Sequence, residues 1–254
     1  MKNEGYDTAE IDSPKIEIAH LVKSFGDNHV LKDVNLVLNK DENVVIFGRS
    51  GSGKSVLIKC IIGLVRFDSG TLKILGKDIT KITRQELNKI REKIGFLFQG
   101  NALYDSMTVR KNLEFPLRRH IKEKTKSEIS QMVEEALNNV GLLKTIDMMP
   151  SELSGGMRKR IGLARCLIVK PEIILYDEPT TGLDPITAKE ISNLMLEMQK
   201  KYNASSIIIS HDMACARLIS NRMLILIDGL IYAEGTYENL AKSTDPQIKS
   251  FFEK

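Results

Sequence analysis

Eight residues, Gly48-Arg49-Ser50-Gly51-Ser52-Gly53-Lys54-Ser55, join the apolar run NVVIF at 43–47 to VLIKCIIGL, a segment whose apolar residues recur at helical spacing. The pattern G-x-x-x-x-G-K-[ST] between a strand and a helix admits few folds, because it is a cradle for a polyphosphate. Glycines there let backbone N–H groups turn inward, and the following helix aims the positive end of its dipole at the same charge. Lys54 is placed to reach the β- and γ-phosphates, and Ser55 to offer a hydroxyl to Mg²⁺. Arg49, Ser50, Ser52 and Val56 join Gly48, Gly51 and Gly53 among the expected nucleotide contacts. A second apolar run, IILYD at 173–177, ends on a carboxylate. Asp177 there would hold the water shell of the magnesium, and Glu178 would orient the water that attacks the γ-phosphate. The plainer alternatives are a Gly/Ser-rich loop with a stray lysine, and an acidic residue that ends a strand at the surface.

NVVIF, IGFLF at 94–98, IILYD and SIIIS at 206–210 are continuous apolar runs, as expected of strands buried on both faces, so the core sheet is predicted to be mostly parallel. KIEIAHL instead alternates Ile16, Ile18 and His20 against charged or small neighbours. VNLVL repeats the pattern with Val34, Leu36 and Leu38, and TLKIL, closed by Gly76, continues it; together these predict a half-exposed antiparallel sheet. MLILI and LIYAEG, parted by Asp228 and Gly229, form a hairpin pattern with a type I′ turn. Between Thr108 and Pro150 strand signals vanish. Ile129, Met132, Val133, Ala136, Leu137 and Val140 recur there at helical spacing behind a Thr125-x-x-Glu128 capping box, and Gly141 stands as the C-terminal cap. The expected organisation is a flexible polar lead-in at 1–14, an α/β P-loop domain over 15–240 with a helical lobe inserted at roughly 100–165, and an amphipathic tail at 241–254.

Lys and Arg number 37 against 33 Asp and Glu, a net charge of +4 that gives no basis for a nucleic-acid partner. Cys60, Cys166 and Cys215 lie in unrelated apolar contexts without a Cys-x-x-Cys pair, which argues against disulfides and zinc and for a reducing compartment. Runs as short as MLILI and SIIIS do not span a bilayer, so work at a membrane would go through a partner.

Leu153-Ser154-Gly155-Gly156-Met157 precedes Asp177-Glu178-Pro179-Thr180-Thr181-Gly182-Leu183-Asp184, and Ser210-His211-Asp212 follows. With the P-loop, this order of motifs resembles an ABC nucleotide-binding domain from Lys15 to about Glu234. The resemblance implies an ABC cassette that binds ATP and Mg²⁺, pairs with a second copy as a homodimer, and lies peripherally on the cytoplasmic face of the inner membrane against integral-membrane permease subunits. It implies that Ser154, Gly155 and Gly156 begin a helix facing the γ-phosphate held by the opposite subunit, a role that the glycines and the helix dipole suit. It implies further that Gln99 after IGFLF is the Q-loop glutamine and a magnesium ligand, and that His211 is the switch histidine, catalytic with Glu178 and Lys54. Asp184 would belong to the loop that crosses between subunits, and Phe25 in LVKSFG would stack on adenine. Plainer roles are a strand cap for Gln99, a surface imidazole for His211 and core filling for Phe25. Ala102, Leu103 and Tyr104 fall where such transporters receive the coupling helix of the membrane subunit, or else they pack the lobe. Lys111, Arg118, Arg119, Lys122, Lys124 and Lys126 form a solvated face or meet acidic lipid or a partner.

Met157 stands where most cassettes carry glutamine, and a thioether cannot donate the hydrogen bonds of an amide. LSGGMRKR, together with Asp184-Pro185-Ile186, is similar to the ATPases of the Mla and other MCE-associated lipid transporters, and Asp245-Pro246-Gln247 before Ile248, Phe251 and Phe252 resembles the end of such subunits. That narrower resemblance implies phospholipid or related lipid trafficking in a bacterial envelope, with an MCE-type lipid-binding subunit as a further partner. An exporter of amphipathic compounds is the alternative cargo class, and a soluble ABC protein of DNA repair or translation the alternative function class. A single cassette with a helical lobe of ordinary size favours transport. For the tail, a final helix packed on its own domain is the alternative.

Overall fold

A computed structural model of the chain describes residues 13–100, 103–120 and 123–253; residues 1–12 of the lead-in, Ala102, Lys122 and Lys254 lie outside them. Strands β1 (Ile16–Phe25) and β2 (Asn28–Leu38) pair antiparallel, with Ile16, Ile18, Val34, Leu36 and Leu38 buried as their alternation predicts. His20, expected on the same inward row, departs from it. Its φ is +53°, the register slips between Ile18 and Leu21, and Leu21 takes the buried place while His20 is exposed. A bulge there turns every following side chain over, and alternation alone does not reveal it.

The chain continues through β3 (Asn43–Phe47), α1 (Lys54–Ile61), β4 (Ser69–Ile74), β5 (Lys77–Asp78), α2 (Arg84–Arg91) and β6 (Ile94–Leu97). Helices α3 (Val109–His120), α4 (Lys126–Asn139) and α5 (Gly155–Leu167) form the lobe. Then come β7 (Ile173–Asp177), α6 (Pro185–Tyr202), β8 (Ser205–Ser210), α7 (Met213–Ile219), β9 (Arg222–Ile227), β10 (Leu230–Gly235), α8 (Tyr237–Ala241) and α9 (Pro246–Phe252). The strands make one sheet in the order β5-β4-β1-β2-β10-β9-β3-β8-β7-β6. From β9 to β6 neighbours are parallel, and from β5 to β2 antiparallel, as the two kinds of apolar pattern predict. Leu230 of β10 and Asp33 of β2 pair where the two parts meet.

Every residue of β3, β7 and β8 is buried. Val45, Phe47, Ile174, Tyr176 and Ile208 face a core shared with α3 to α7, whereas Val44, Ile46, Ile173, Leu175 and Ile207 face α1 and the antiparallel arm. β6 differs from the expectation of burial on both faces, for Ile94 and Phe96 are only half-buried. It is the edge of the sheet, and a continuous apolar run looks alike at an edge and at the centre.

The local signals hold in detail. Thr125 N–H donates to Glu128 at 2.8 Å and opens α4; that bond, with Lys124 and the Thr125 hydroxyl behind it, holds the Glu128 carboxyl down at about 2. Asp228 and Gly229 have φ of +48° and +79°, the pair that a type I′ turn requires, and at Gly229 a Cβ would come within 2.5 Å of the Val30 carbonyl. The tail takes the plainer of its two roles: Ile248 is buried, Phe251 packs edge-on against Phe47 at 5.7 Å, and Phe252 packs on Tyr237 at 5.4 Å. Among the described residues no helix is long and apolar enough to cross a membrane.

Candidate active site

Strand β3, buried throughout, delivers the chain to Gly48, where a Cβ would lie 2.5 Å from the Leu226 carbonyl oxygen. Gly53, at φ +103°, is the N-cap of α1 without a side-chain cap, so the first turn of that helix presents N–H groups to the loop. Lys54 folds back over the loop and donates to the main-chain oxygens of Gly48 at 2.8 Å and Arg49 at 2.9 Å. Burial draws its pKa down, and the carboxylates of Glu178 and Asp177 oppose that pull. Ser52 Oγ is buried without a hydrogen-bond partner among the described residues. A cradle with an orphaned hydroxyl and an ammonium parked on its own carbonyls fits an anion supplied from outside.

Opposite, β7 ends at Asp177, whose Oδ1 accepts from Ser55 Oγ at 3.2 Å. Burial raises the Asp177 pKa, and Glu178 beside it adds to the rise, against the Ser55 hydrogen bond and the lysines. Glu178 takes φ +55°, a conformation that costs a non-glycine residue about 1–3 kcal/mol and that clusters at functional sites. Its Oε2 meets His211 Nδ1 at 2.5 Å and accepts from Thr181 Oγ1 at 2.9 Å. His211 follows β8, and the next residue, Asp212, caps α7 and accepts from Thr180 Oγ1 at 3.2 Å, which ties the two loops together.

Gly48, Gly53, Lys54, Ser55, Glu178, His211 and Asp212 line one cleft of about 1230 Å³ together with Phe25, Val56 and Gln99, while Asp177 is off its wall and reaches it through the Ser55 hydroxyl. Phe25 is 51% exposed, so it is not core filling; Lys23 Nζ lies 4.9 Å from its ring centroid. The same cleft excludes Ser154, Gly155, Gly156 and Asp184. Ser154 instead caps α5 through the Met157 N–H at 3.2 Å, and Asp184 caps α6 through Ile186 and Thr187. At Gly156 a Cβ would stand 2.8 Å from the Thr187 methyl. Met157 packs against the helical core. Within one chain, therefore, the P-loop group and the signature group are separate surfaces.

Beyond Gln99, buried Asn112 staples the next loop by accepting from Tyr104 N–H at 2.8 Å and donating to the Tyr104 carbonyl at 3.1 Å. Tyr104, edge-on to Phe115 at 5.0 Å and under Arg165, walls a groove of about 470 Å³ with Phe96, Phe98, Leu103 and Pro116. Of the basic run, Arg118 pairs with Glu114 at 2.7 Å and Lys124 with Glu128 at 3.0 Å, the pattern of a solvated face. Three residues of the site escaped sequence reasoning. Thr181 holds Glu178, Phe251 of α9 walls the cleft with Arg49 5.8 Å from its ring centroid, and Lys159 of α5 is buried with its amine on the Gln99 carbonyl at 2.8 Å. Lys159 alone left a signal: it shares the buried stripe of α5 with Leu163 and Cys166, where a charge is out of place.

The family model for ABC transporters matches residues 31–181. A Mycobacterium leprae protein described as a probable ribonucleotide transport ATP-binding protein, mkl, is 42% identical over 236 residues, 93% of this chain and 68% of that protein; of the mkl protein of Mycobacterium bovis the chain spans 66%. The intermembrane phospholipid transport system ATP-binding protein MlaF of Haemophilus influenzae is 36% identical over 236 residues, 93% of this chain and 89% of MlaF. Among solved structures, the dimeric post-hydrolysis state of the ATP-binding cassette MJ0796 bound to ADP and Pi superposes with a TM-score of 0.80 at 31% identity, over 87% of this chain and 98% of that one.

Proposed function

Because the chain belongs to the ABC transporter family, as an ATP-hydrolysing cassette, we propose that it works as a homodimer under permease subunits on the cytoplasmic face of an inner membrane and drives lipid movement with an MCE-type lipid-binding subunit. Phe25 stacks on adenine, while the P-loop main chain and Lys54 hold the phosphates. Mg²⁺ fits the donors present, since the Ser55 hydroxyl and Asp177 carboxylate are hard oxygens 3.2 Å apart and Gln99 lines the cleft beside Ser55. Ser55 and Gln99 would hold the ion and Asp177 its water shell; bound, it neutralises charge on the phosphates. Glu178, its Oε2 pinned by His211 and Thr181, orients the water that attacks the γ-phosphorus as the bond to the bridging oxygen breaks and ADP and phosphate form. Ser154 and the N-terminus of α5 complete the site of the other copy, which suits their exclusion from the chain's own cleft.

That double clamp on Glu178 is the observation that carries the hydrolytic reading. Glu178→Gln should keep ATP affinity and nearly abolish turnover, so that unhydrolysed ATP accumulates; wild-type turnover would remove Glu178 from its role. The lipid reading is supported by Met157, the residues Arg158-Lys159-Arg160 after it, the Asp184-Pro185-Ile186 run and the similarity to MlaF. A ribonucleotide cargo is the second reading, favoured by the higher identity to mkl. The test is the chain reconstituted with its permease in liposomes that carry fluorescent phospholipid outside and labelled ribonucleotide inside. ATP-driven phospholipid transfer that Glu178→Gln abolishes supports the lipid reading; ATP-driven ribonucleotide movement with unmoved phospholipid refutes it.

A further inference from the structure

Lys159, one turn into the signature helix α5, is 4% exposed, and its Nζ donates to the main-chain oxygen of Gln99 at 2.8 Å. Taking an ammonium out of water is costly unless the surroundings return the interaction, so a buried lysine calls for a reason. Burial draws its pKa down, while Glu178 and Asp177 push it back up. The same two carboxylates act on Lys54. Two buried ammonium groups thus share the field of the two carboxylates, one from the P-loop and one from α5. They differ in reach, because Lys54 lines the nucleotide cleft and Lys159 does not. A cation held behind the cleft wall cannot bind phosphate, but it can fix the main chain from which Gln99 projects.

We propose that Lys159 is a positioning residue that locks the Gln99 loop to helix α5 and so couples a chain's own nucleotide site to the surface it offers to its partner's nucleotide. Ser154 caps the start of the helix that carries Lys159, and Gln99 lines the cleft of the same chain. The Lys159–Gln99 bond therefore joins the element used in trans to the element used in cis, across a gap of 60 residues in sequence. Without it, α5 keeps its packing through Ile161, Leu163 and Leu167, and the Gln99 loop loses its tie to the lobe. The inference rests on the roles given above to Gln99, Ser154 and Glu178.

The test compares wild type, Lys159→Met, Lys159→Arg and Glu178→Gln as full-length chains, by phosphate release at saturating ATP, binding of the fluorescent analogue TNP-ATP, and thermal melting. Methionine fills the same stripe without a donor or a charge, so Lys159→Met should melt cooperatively and bind TNP-ATP within about twofold of wild type, yet lose about tenfold or more in kcat, the cost of one charged hydrogen bond. Lys159→Arg keeps a cationic donor and should recover most of that loss. Wild-type kcat in Lys159→Met overturns the proposal. So does failure of Lys159→Met to fold, or an equal fall in kcat and TNP-ATP affinity in both Lys159 variants, since each marks a packing role alone. If Glu178→Gln turns over ATP like wild type, the underlying site reading falls and this inference with it; a dead Glu178→Gln beside a wild-type Lys159→Met removes only the inference.

Discussion

Removing the clamp on Glu178 one donor at a time tests the site at its most specific contact. His211 Nδ1 lies 2.5 Å and Thr181 Oγ1 2.9 Å from the same oxygen, Oε2, and Glu178 holds a left-handed φ of +55° under them. A hydrogen bond to a charged group is worth about 1.5–3 kcal/mol, and both bonds end on the Glu178 carboxylate. The imidazole side chain is 59% exposed, so water screens the His211 contact and the lower half of its range applies. If the whole of each bond serves to orient the carboxylate in the transition state, His211→Ala loses about 10- to 40-fold in kcat, and Thr181→Val, whose half-buried bond is less screened, about 10- to 150-fold. Because both donors act on one oxygen, the double variant should lose less than the product of the two. Phosphate release at saturating ATP reads kcat, and ADP affinity serves as the control, since neither side chain belongs to the P-loop. A rate within twofold of wild type in either His211→Ala or Thr181→Val would refute the clamp.

Acid stability follows from Glu42, which accepts from Arg222 Nε at 2.7 Å and from the Asn39 N–H at 2.9 Å. Burial raises its pKa, but the bonds from Arg222 and Asn39 together outweigh that and hold the carboxyl below its usual value. A depressed folded pKa means stability that is complete above the unfolded value, about 4.3, and is lost as pH falls through the lower folded one, so Glu42→Gln should flatten the acid limb of a Tm-against-pH curve; an unchanged slope below about pH 4 would contradict this. Tyr104→Asp places a charge on the loop expected to receive the coupling helix of the membrane subunit, where desolvating it under a docked partner would cost several kcal/mol, roughly. Stimulation of ATPase by the permease should then vanish while the basal rate of the isolated chain persists, and equal loss of both would show that Tyr104 supports the fold or the chemistry instead.

What the amino-acid sequence discloses divides along the distance over which each feature is determined. The P-loop, the Thr125 capping box and the Asp228-Gly229 turn each close within a few residues, so their chemistry is readable where it stands, and each is found in place. The buried runs of β3, β7 and β8 were readable for a related reason, since a strand covered on both faces admits only apolar side chains along its length. The bulge at His20 and the half-exposed edge strand β6 were not, because each depends on which neighbour lies alongside, and the chain's own residues carry no mark of it.

The site divides in the same way, and the division bears on how it works. Each P-loop and carboxylate residue could be named from its own motif, but the contacts among motifs could not: His211 reaches Glu178 across 33 residues, Ser55 reaches Asp177 across 122, and Lys159 reaches Gln99 across 60. Those three contacts join five segments, four that follow the parallel strands β3, β6, β7 and β8 and one on α5, so their relative positions are set by the sheet and by the packing of α5 on it. A strand order that places β8 between β3 and β7 puts the loops carrying Lys54, Glu178 and His211 on adjacent strand ends. The loops carrying Lys54, Glu178 and His211 follow three neighbouring strands, whereas Gln99, which follows the edge strand β6, has sheet on one side only. The loop with least support from the sheet is thus the one to which α5 contributes a buried lysine, and that is where motion between lobe and core can be admitted without disturbing the carboxylates.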